Sequence, residues 1–283
     1  MPVEGTVSSR PTFAWRTYRT PPHSRYRAGV ITDLNVEWVG DELRVRWRDG
    51  EDPTVFVSGS PDDAGTVIVA VETPGRLRIA GLPIGFRAYV HVLDLDGSWV
   101  VAGERLIRLS RTGKVVDLGG HRRGDGRVVR WGRLFAGDPI DDLDPAGRDA
   151  MRGLGIRTVC DLRDGDESAG RPAWLDPGVG WELPGLGEGE AGQIAEVVAL
   201  AADPDNHALL FHAGIGQDRA VVVAALLLSA VGVADADLPF FPTRPEVLAD
   251  LRDRYGSVEG YLAGAGRLVG GELAALEEAL LAP

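Results

Sequence analysis

The sequence predicts an all-β sandwich followed by an α/β domain that has a parallel-rich sheet and C-terminal helices. Three observations predict it. Short alternating segments separated by Gly, Pro and Asp turns fill residues 29–111, and beyond 111 the pattern changes to strands alternating with helices. The length, 283 residues, exceeds the ~100 to 150 residues typical of one domain. The expected division is an arm at 1–28, a sandwich at 29–111 and an α/β domain at 112–283.

Composition narrows the partners. A net charge of -12 and a pI near 4.9 exclude general affinity for nucleic acid or an anionic membrane, which needs a clustered basic face. Phosphate recognition must therefore be local. Lys114 is the only lysine, and an arginine-dominated cation set fits GC-rich codon usage as well as forked anion binding. The single cysteine, Cys160, excludes an internal disulfide framework and suits a reducing compartment, so a cytoplasmic location is expected. The opening residues lack the apolar core of a signal peptide, and the longest apolar run, 220–233, is too short to cross a bilayer, so no membrane insertion is expected. Five histidines without i, i+4 pairing offer no metal constellation, and no cofactor is implied. Oligomeric state is not set by any feature of the sequence.

The arm interleaves Trp15, Tyr18 and Tyr26 with Pro, Arg, Ser and Thr, and is expected to pack across a neighbouring domain or subunit. In "ELRVRWRD" Leu43, Val45 and Trp47 alternate inward with Arg44, Arg46 and Arg48 outward, a half-buried antiparallel strand. Further strands are expected at "PTVFVSG", "GTVIVAVE", "RLRIAGL", "FRAYVHVLD" and "SWVVAGERLIRL". His91 alternates with core positions and is expected at a solvated or edge position. The segment "GLPIGFRAYVHV" (81–92) resembles the corner between the fifth and sixth strands of fibronectin type III domains, and Trp47 resembles their early core tryptophan. The corner tyrosine belongs near Ala88; the nearest here is Tyr89, which faces the other way.

In the second part, "GRVVRWGRLFAG" (126–137) is a strand or hairpin. "DPAGRDAMRGLG" (144–155) is a helix capped by Asp144 and stopped by Gly155, and "IRTVCDLRD" (156–164) is an apolar strand ending in charges. "AGQIAEVVALAAD" (191–203) is a helix leading to the strand "HALLFH" (207–212). The amphipathic stretches "RPEVLADLRDRYGSVEGYLAGAG" and "GGELAALEEALL" should pack on the sheet. The short joint between the two parts makes the sandwich a brace for the second domain or a wall of its pocket.

Residues 209–233, "LLFHAGIGQDRAVVVAALLLSAVGV", run from an apolar strand through a glycine-bearing loop into a helical pattern. Such a junction presents converging backbone N-H groups and a helix N-terminus to an oxyanion. Gly214 and Gly216 let the backbone turn inward, and Arg219 can grip a phosphate with two parallel hydrogen bonds. An ordinary strand-to-helix turn is the simpler alternative, but it seldom sets Asp218 and Arg219 directly before a wholly buried helix.

Here the sequence resembles the bacterial tyrosine phosphatases of the triple-specificity type, whose loop reads His-Cys-x-x-Gly-Lys-Asp-Arg-Thr. The aligned run is His212, Ala213, Gly214, Ile215, Gly216, Gln217, Asp218, Arg219 and Ala220. "DLGGHR" (117–122), "GRLFAGD" (132–138), "LGIRTVCDLRDGDE" (154–167) and "RYGSVEGYL" (254–262) follow in the family's order. The resemblance implies a small anionic or phosphorylated ligand held by residues 212–217 and Arg219. It makes Asp218 a candidate general acid, gives His212 an orienting role, and gives Glu167 and Glu259 structural ones. Asp161 and Arg163, closing a strand whose carboxyl edge faces the same crevice, join Asp218 and Arg219 as candidate site residues.

In that family a cysteine thiolate attacks phosphorus, its pKa lowered by loop amides, helix terminus and arginine. Ala213 stands there instead, and a methyl group forms no phosphoenzyme. A substrate-trapping Cys-to-Ala substitution or an inherited loss both account for it. Gln217, Ala220, Val116 and Ala136 also depart from the family's lysine, hydroxyl and two arginines, and five departures favour inheritance. Three functions follow: a phosphatase-like binding or regulatory protein, a trapped phosphatase, or a repurposed enzyme using Asp218, Asp161 and Arg219 for acid-base chemistry.

Overall fold

The computed structural model describes residues 31–49, 53–65, 68–69, 75–82, 86–109, 113–163, 168–184, 189–214, 219–238, 245–264 and 270–282. The arm at 1–28 lies outside the described residues.

The first strands are β1 (Thr32–Val39), β2 (Glu42–Arg48), β3 (Thr54–Ser58), β4 (Ile68–Val69), β5 (Arg76–Ala80), β6 (Tyr89–Leu93) and β7 (Trp99–Gly103). They make two antiparallel sheets, ordered β1-β2-β5 and β4-β3-β6-β7. Alternation in β2 works as its sequence dictates: Leu43, Val45 and Trp47 are buried while the arginines between them are not. Those three meet Val55, Val57, Val90 and Val92 of the other sheet in one apolar core.

Two expectations need correction. His91 is buried, not solvated: the segment after β3 folds over it, and its Nε2 lies 2.9 Å from the Ser60 carbonyl and 3.1 Å from Ser58 Oγ. Burial lowers its pKa in consequence. The run 98–109, expected as one strand, is two. Its second half, β8 (Leu106–Arg108), leaves the β7 sheet and pairs antiparallel with β9 (Lys114–Asp117).

The remaining elements are β10 (Val128–Val129), β11 (Leu134–Gly137), α1 (Pro145–Gly153), β12 (Thr158–Asp161), β13 (Gly180–Glu182), α2 (Gly189–Ala202), β14 (Leu209–His212), α3 (Arg219–Ala230), α4 (Pro245–Tyr255), α5 (Val258–Gly264), α6 (Gly270–Leu280) and β15 (Leu281–Ala282). Asp144 caps α1, its Oδ1 accepting from the Gly147 amide at 2.8 Å. Gly155 turns the chain out of that helix at φ +66°. The sheet order is β13-β12-β14-β11-β9-β8, with the first four strands parallel and the last two antiparallel. The sheet is parallel-rich, as expected, and gains two antiparallel strands where the chain enters it through the β8-β9 hairpin.

Parity along β14 assigns the layers. Leu209 and Phe211 join the cluster built with α2, α3, α5 and α6, whereas Leu210 joins the opposite cluster around Ile156, Met151 and Leu154 beside α1. Helix α3 is buried along most of its length, which requires cover on both sides: the sheet on one, and α2 and α5 on the other. A helix apolar all round is stable in water only in that position.

The two parts of the chain meet at the amino-terminal end of β11. Trp131 Nε1 donates to the Val101 carbonyl at 2.9 Å, and Arg133 pairs with Asp62 at 2.6 Å. Arg87 reaches from the β6 side to Asp117, Nη2 to Oδ2 2.8 Å, where both side chains are essentially buried. Asp117 also accepts from the Gly119 and Gly132 amides. This seam is at the opposite end of the parallel strands from the residue 212–219 loop. The amino-terminal sheets meet the second part at that end.

Candidate functional site

Strand β14 runs between β11 and β12, with Gly137 and Asp161 as the register partners of His212. Ala213 follows, 1% exposed and part of the apolar cluster on the α3 side. Ile215, Gly216, Gln217 and Asp218 lie outside the described residues, so the expected roles of the latter two gain no geometry. Helix α3 begins at Arg219.

The base of the loop is closed by a short chain of hydrogen bonds. The Leu162 amide donates to the His212 carbonyl at 2.8 Å, and Arg219 Nη1 donates to the Leu162 carbonyl at 2.8 Å. The residue after β12 thus ties the end of β14 to the first side chain of α3. This fixes one nitrogen of the Arg219 guanidinium at the end of β12.

Asp161 and Arg163 are engaged differently. Arg163 grips Asp161 with a fork, Nε to Oδ1 and Nη2 to Oδ2 both 2.8 Å, and pairs with Asp141 through Nη1 at 2.7 Å. Ser168 Oγ adds a 2.6 Å bond to Asp161. Burial by itself would raise the Asp161 pKa, but the bonds from Arg163 and Ser168 outweigh it and hold the carboxyl below its usual range. Asp161 is an anion at neutral pH with no proton to give, and Arg163 is saturated by two carboxylates. Both sit at the carboxyl edge, as their position in the sequence suggests, yet they form an ion-pair network beneath the loop.

His212 is fully buried on the same side as Asp161, its Nδ1 3.7 Å from Asp161 Oδ1 and its ring centroid 5.8 Å from that of Trp181. Among the described residues neither ring nitrogen has a hydrogen-bond partner. Burial pulls its pKa down to about 4, against the pull of Asp161, so the imidazole is neutral at pH 7. Cys160 points to the opposite side of the sheet from Asp161, into the α2 and α3 core, where burial pushes its thiol well above the normal range. It is no substitute nucleophile.

Asp141, Ser168 and Trp181 complete the surroundings and escape sequence reasoning, because each reaches the site from a loop or edge strand with no periodic or motif signal. Gln193 of α2, with Leu162, Arg219 and Val222, lines a small crevice beside the arginine. Glu259 is exposed near the start of α5, and Glu167 lies outside the described residues. Among the described residues no cluster of His, Cys, Asp and Glu is suited to a metal ion, and no helix is long and apolar enough to cross a membrane.

Strand β14 ends at His212 and helix α3 opens with Arg219, at the carboxyl end of a parallel run. Residues 114–183 and 186–238 match the model of the tyrosine phosphatase family. This part of the chain is tyrosine phosphatase-like. The matched region begins at β9, takes in the seam residue Asp117, the Arg163 network and the loop, and ends after α3. No curated protein matches the chain.

Proposed function

We propose that this is a phosphatase-like protein that binds a small anionic or phosphorylated ligand at residues 212–219 and does not hydrolyse phosphoesters. One observation carries the reading: the position between β14 and the Arg219 helix, where a phosphatase of this family keeps its thiolate, is Ala213, a buried methyl group. Arg219, tied at one nitrogen to the Leu162 carbonyl, supports anion binding. Gln217, Ala220, Val116 and Ala136 support inherited loss over a single trapping substitution. The tethering of Asp161 in the Arg163 network disfavours the repurposed acid-base enzyme, whose proton carrier it would have to be.

The β1-β2-β5 and β4-β3-β6-β7 sheets support a fibronectin type III-like sandwich as a separate domain, with its boundary near residue 104 since β8 pairs elsewhere. A cytoplasmic location and a tyrosine phosphatase of the triple-specificity type as ancestor belong to the same proposal. The test is direct. Phosphate or sulfate should raise the melting temperature, by an amount that grows with ligand concentration. Turnover of p-nitrophenyl phosphate should stay at background. Clear turnover that disappears in Arg219→Met would overturn the reading.

A further inference from the structure

The chain is acidic as a whole, yet one of its faces is basic. In β2 the apolar residues turn inward, so Arg44, Arg46 and Arg48 share the outer face of the β1-β2-β5 sheet. In β5 the same parity puts Leu77 in the core and leaves Arg76 and Arg78 exposed on that outer face. The antiparallel register then sets Arg44 directly opposite Arg78, and Arg46 opposite Arg76. Like charges placed in this way repel and weaken a sheet. Five guanidiniums therefore share one face, about 7 Å apart along a strand and about 5 Å apart across it.

The carboxylates on this face do not balance them. Glu37 pairs with Arg46 at 2.9 Å and Asp33 with Arg48 at 3.4 Å, both in exposed positions where water screens the attraction. Glu42 stands at the end of the face, opposite Ala80. Glu37 is the register partner of Arg44 but turns to Arg46 instead. Among the described residues no carboxylate pairs with Arg44, Arg76 or Arg78, and Arg44 Nε has no acceptor.

We propose that this face docks an acidic segment of a partner protein, held in extended form with carboxylates at alternate positions. An extended chain repeats its side chains on one side every second residue, which is the spacing of about 7 Å that separates Arg44, Arg46 and Arg48. Each guanidinium offers a carboxylate a fork of two hydrogen bonds. The bound anions would also relieve the repulsion between the opposed arginines. A nucleic acid suits the face less well, because the remaining outer positions Asn35, Val39 and Ala80 supply no aromatic ring on which a base could stack. The net charge of -12 opposes a long polyanion or an anionic bilayer.

The test is fluorescence anisotropy of a labelled peptide of about eight residues that alternates Glu with Ser, titrated with the full chain at low salt. Binding is expected, and it should weaken as the salt rises. Arg76→Glu with Arg78→Glu should weaken it at least tenfold without lowering the melting temperature, because each new carboxylate faces an arginine across the strand pair. Arg76→Gln with Arg78→Gln, which removes the two charges and reverses neither, should act in the same direction by a smaller factor. Arg152→Glu with Arg157→Glu, at exposed positions in the second part of the chain, changes the net charge equally and should leave the affinity within twofold. Absence of binding at low salt would overturn the proposal, as would equal losses in the two charge-reversed pairs. So would tighter, Arg76- and Arg78-dependent binding of a single-stranded oligonucleotide or a phosphatidylserine vesicle, which would assign the face to a different partner.

Discussion

His212 carries the clearest consequence of burial for a single residue. Its pKa falls from 6.5 to about 4 because the charged ring would lose its hydration. Between those values the unfolded chain binds a proton that the folded chain refuses. The stability is therefore full above pH 6.5 and declines as the pH falls toward 4, by about 3 kcal/mol in all at 1.36 kcal/mol per unit. His121 acts in the same direction. Urea denaturation of the chain and of His212→Gln from pH 4 to 7.5 should show the parent losing about 3 kcal/mol more than the variant; parallel profiles would mean that His212 does not resist protonation. At this scale the sequence was informative about position: it put His212 at the end of a strand and Arg219 at the start of a helix, where the structure has them. It was silent about Ser168, which with Arg163 holds Asp161 ionised, and about Asp141, which pairs with Arg163. Their partnership depends on loops converging in space, and spacing along the chain does not encode that.

The elements follow from periodicity where one face meets water. In β2 the alternation of apolar residues with arginines was readable, and the Asp144 cap and Gly155 stop delimited α1. Periodicity misled where both faces are covered: β6 is buried almost throughout, so His91 looks polar in sequence and is enclosed in fact. Likewise, the strand pattern over 98–109 cannot reveal that the chain changes sheets between β7 and β8. Gly147 in α1 shows packing overruling propensity. In an open helix Gly→Ala stabilises by ~1 kcal/mol. Here a Cβ would run into the Leu109 carbonyl, a backbone atom that cannot swing away. Gly147→Ala is expected to destabilise by about 1 to 3 kcal/mol, as overpacking does. Thermal denaturation checks the sign, and a stabilised variant would contradict the close approach of α1 to the segment after β8.

Across the whole molecule, the Arg87–Asp117 pair makes the two parts of the chain interdependent. Each offsets the other's charge across the seam: Asp117 belongs to the tyrosine phosphatase-like part, and Arg87 to the sheets before it. Breaking a buried pair by removing one partner costs about 3 to 5 kcal/mol, because the remaining charge is stranded. Arg87→Met should therefore lower the stability by that order, and the parent chain should unfold in a single transition seen alike by far-ultraviolet dichroism and tryptophan fluorescence. Two separated transitions in the parent would show the seam to be weak.

The most direct measurement is the rate of p-nitrophenyl phosphate hydrolysis by Ala213→Cys. A thiol at 213 would stand in an apolar cluster, 1% exposed at present, with Ala220 in place of a hydroxyl and Gln217 in place of a cation. If hydrolysis was lost through several inherited changes, restoring the sulfur alone leaves the rate at the background of the parent chain. Robust, Arg219-dependent turnover by Ala213→Cys would contradict this, and would make the protein a phosphatase silenced by one side chain.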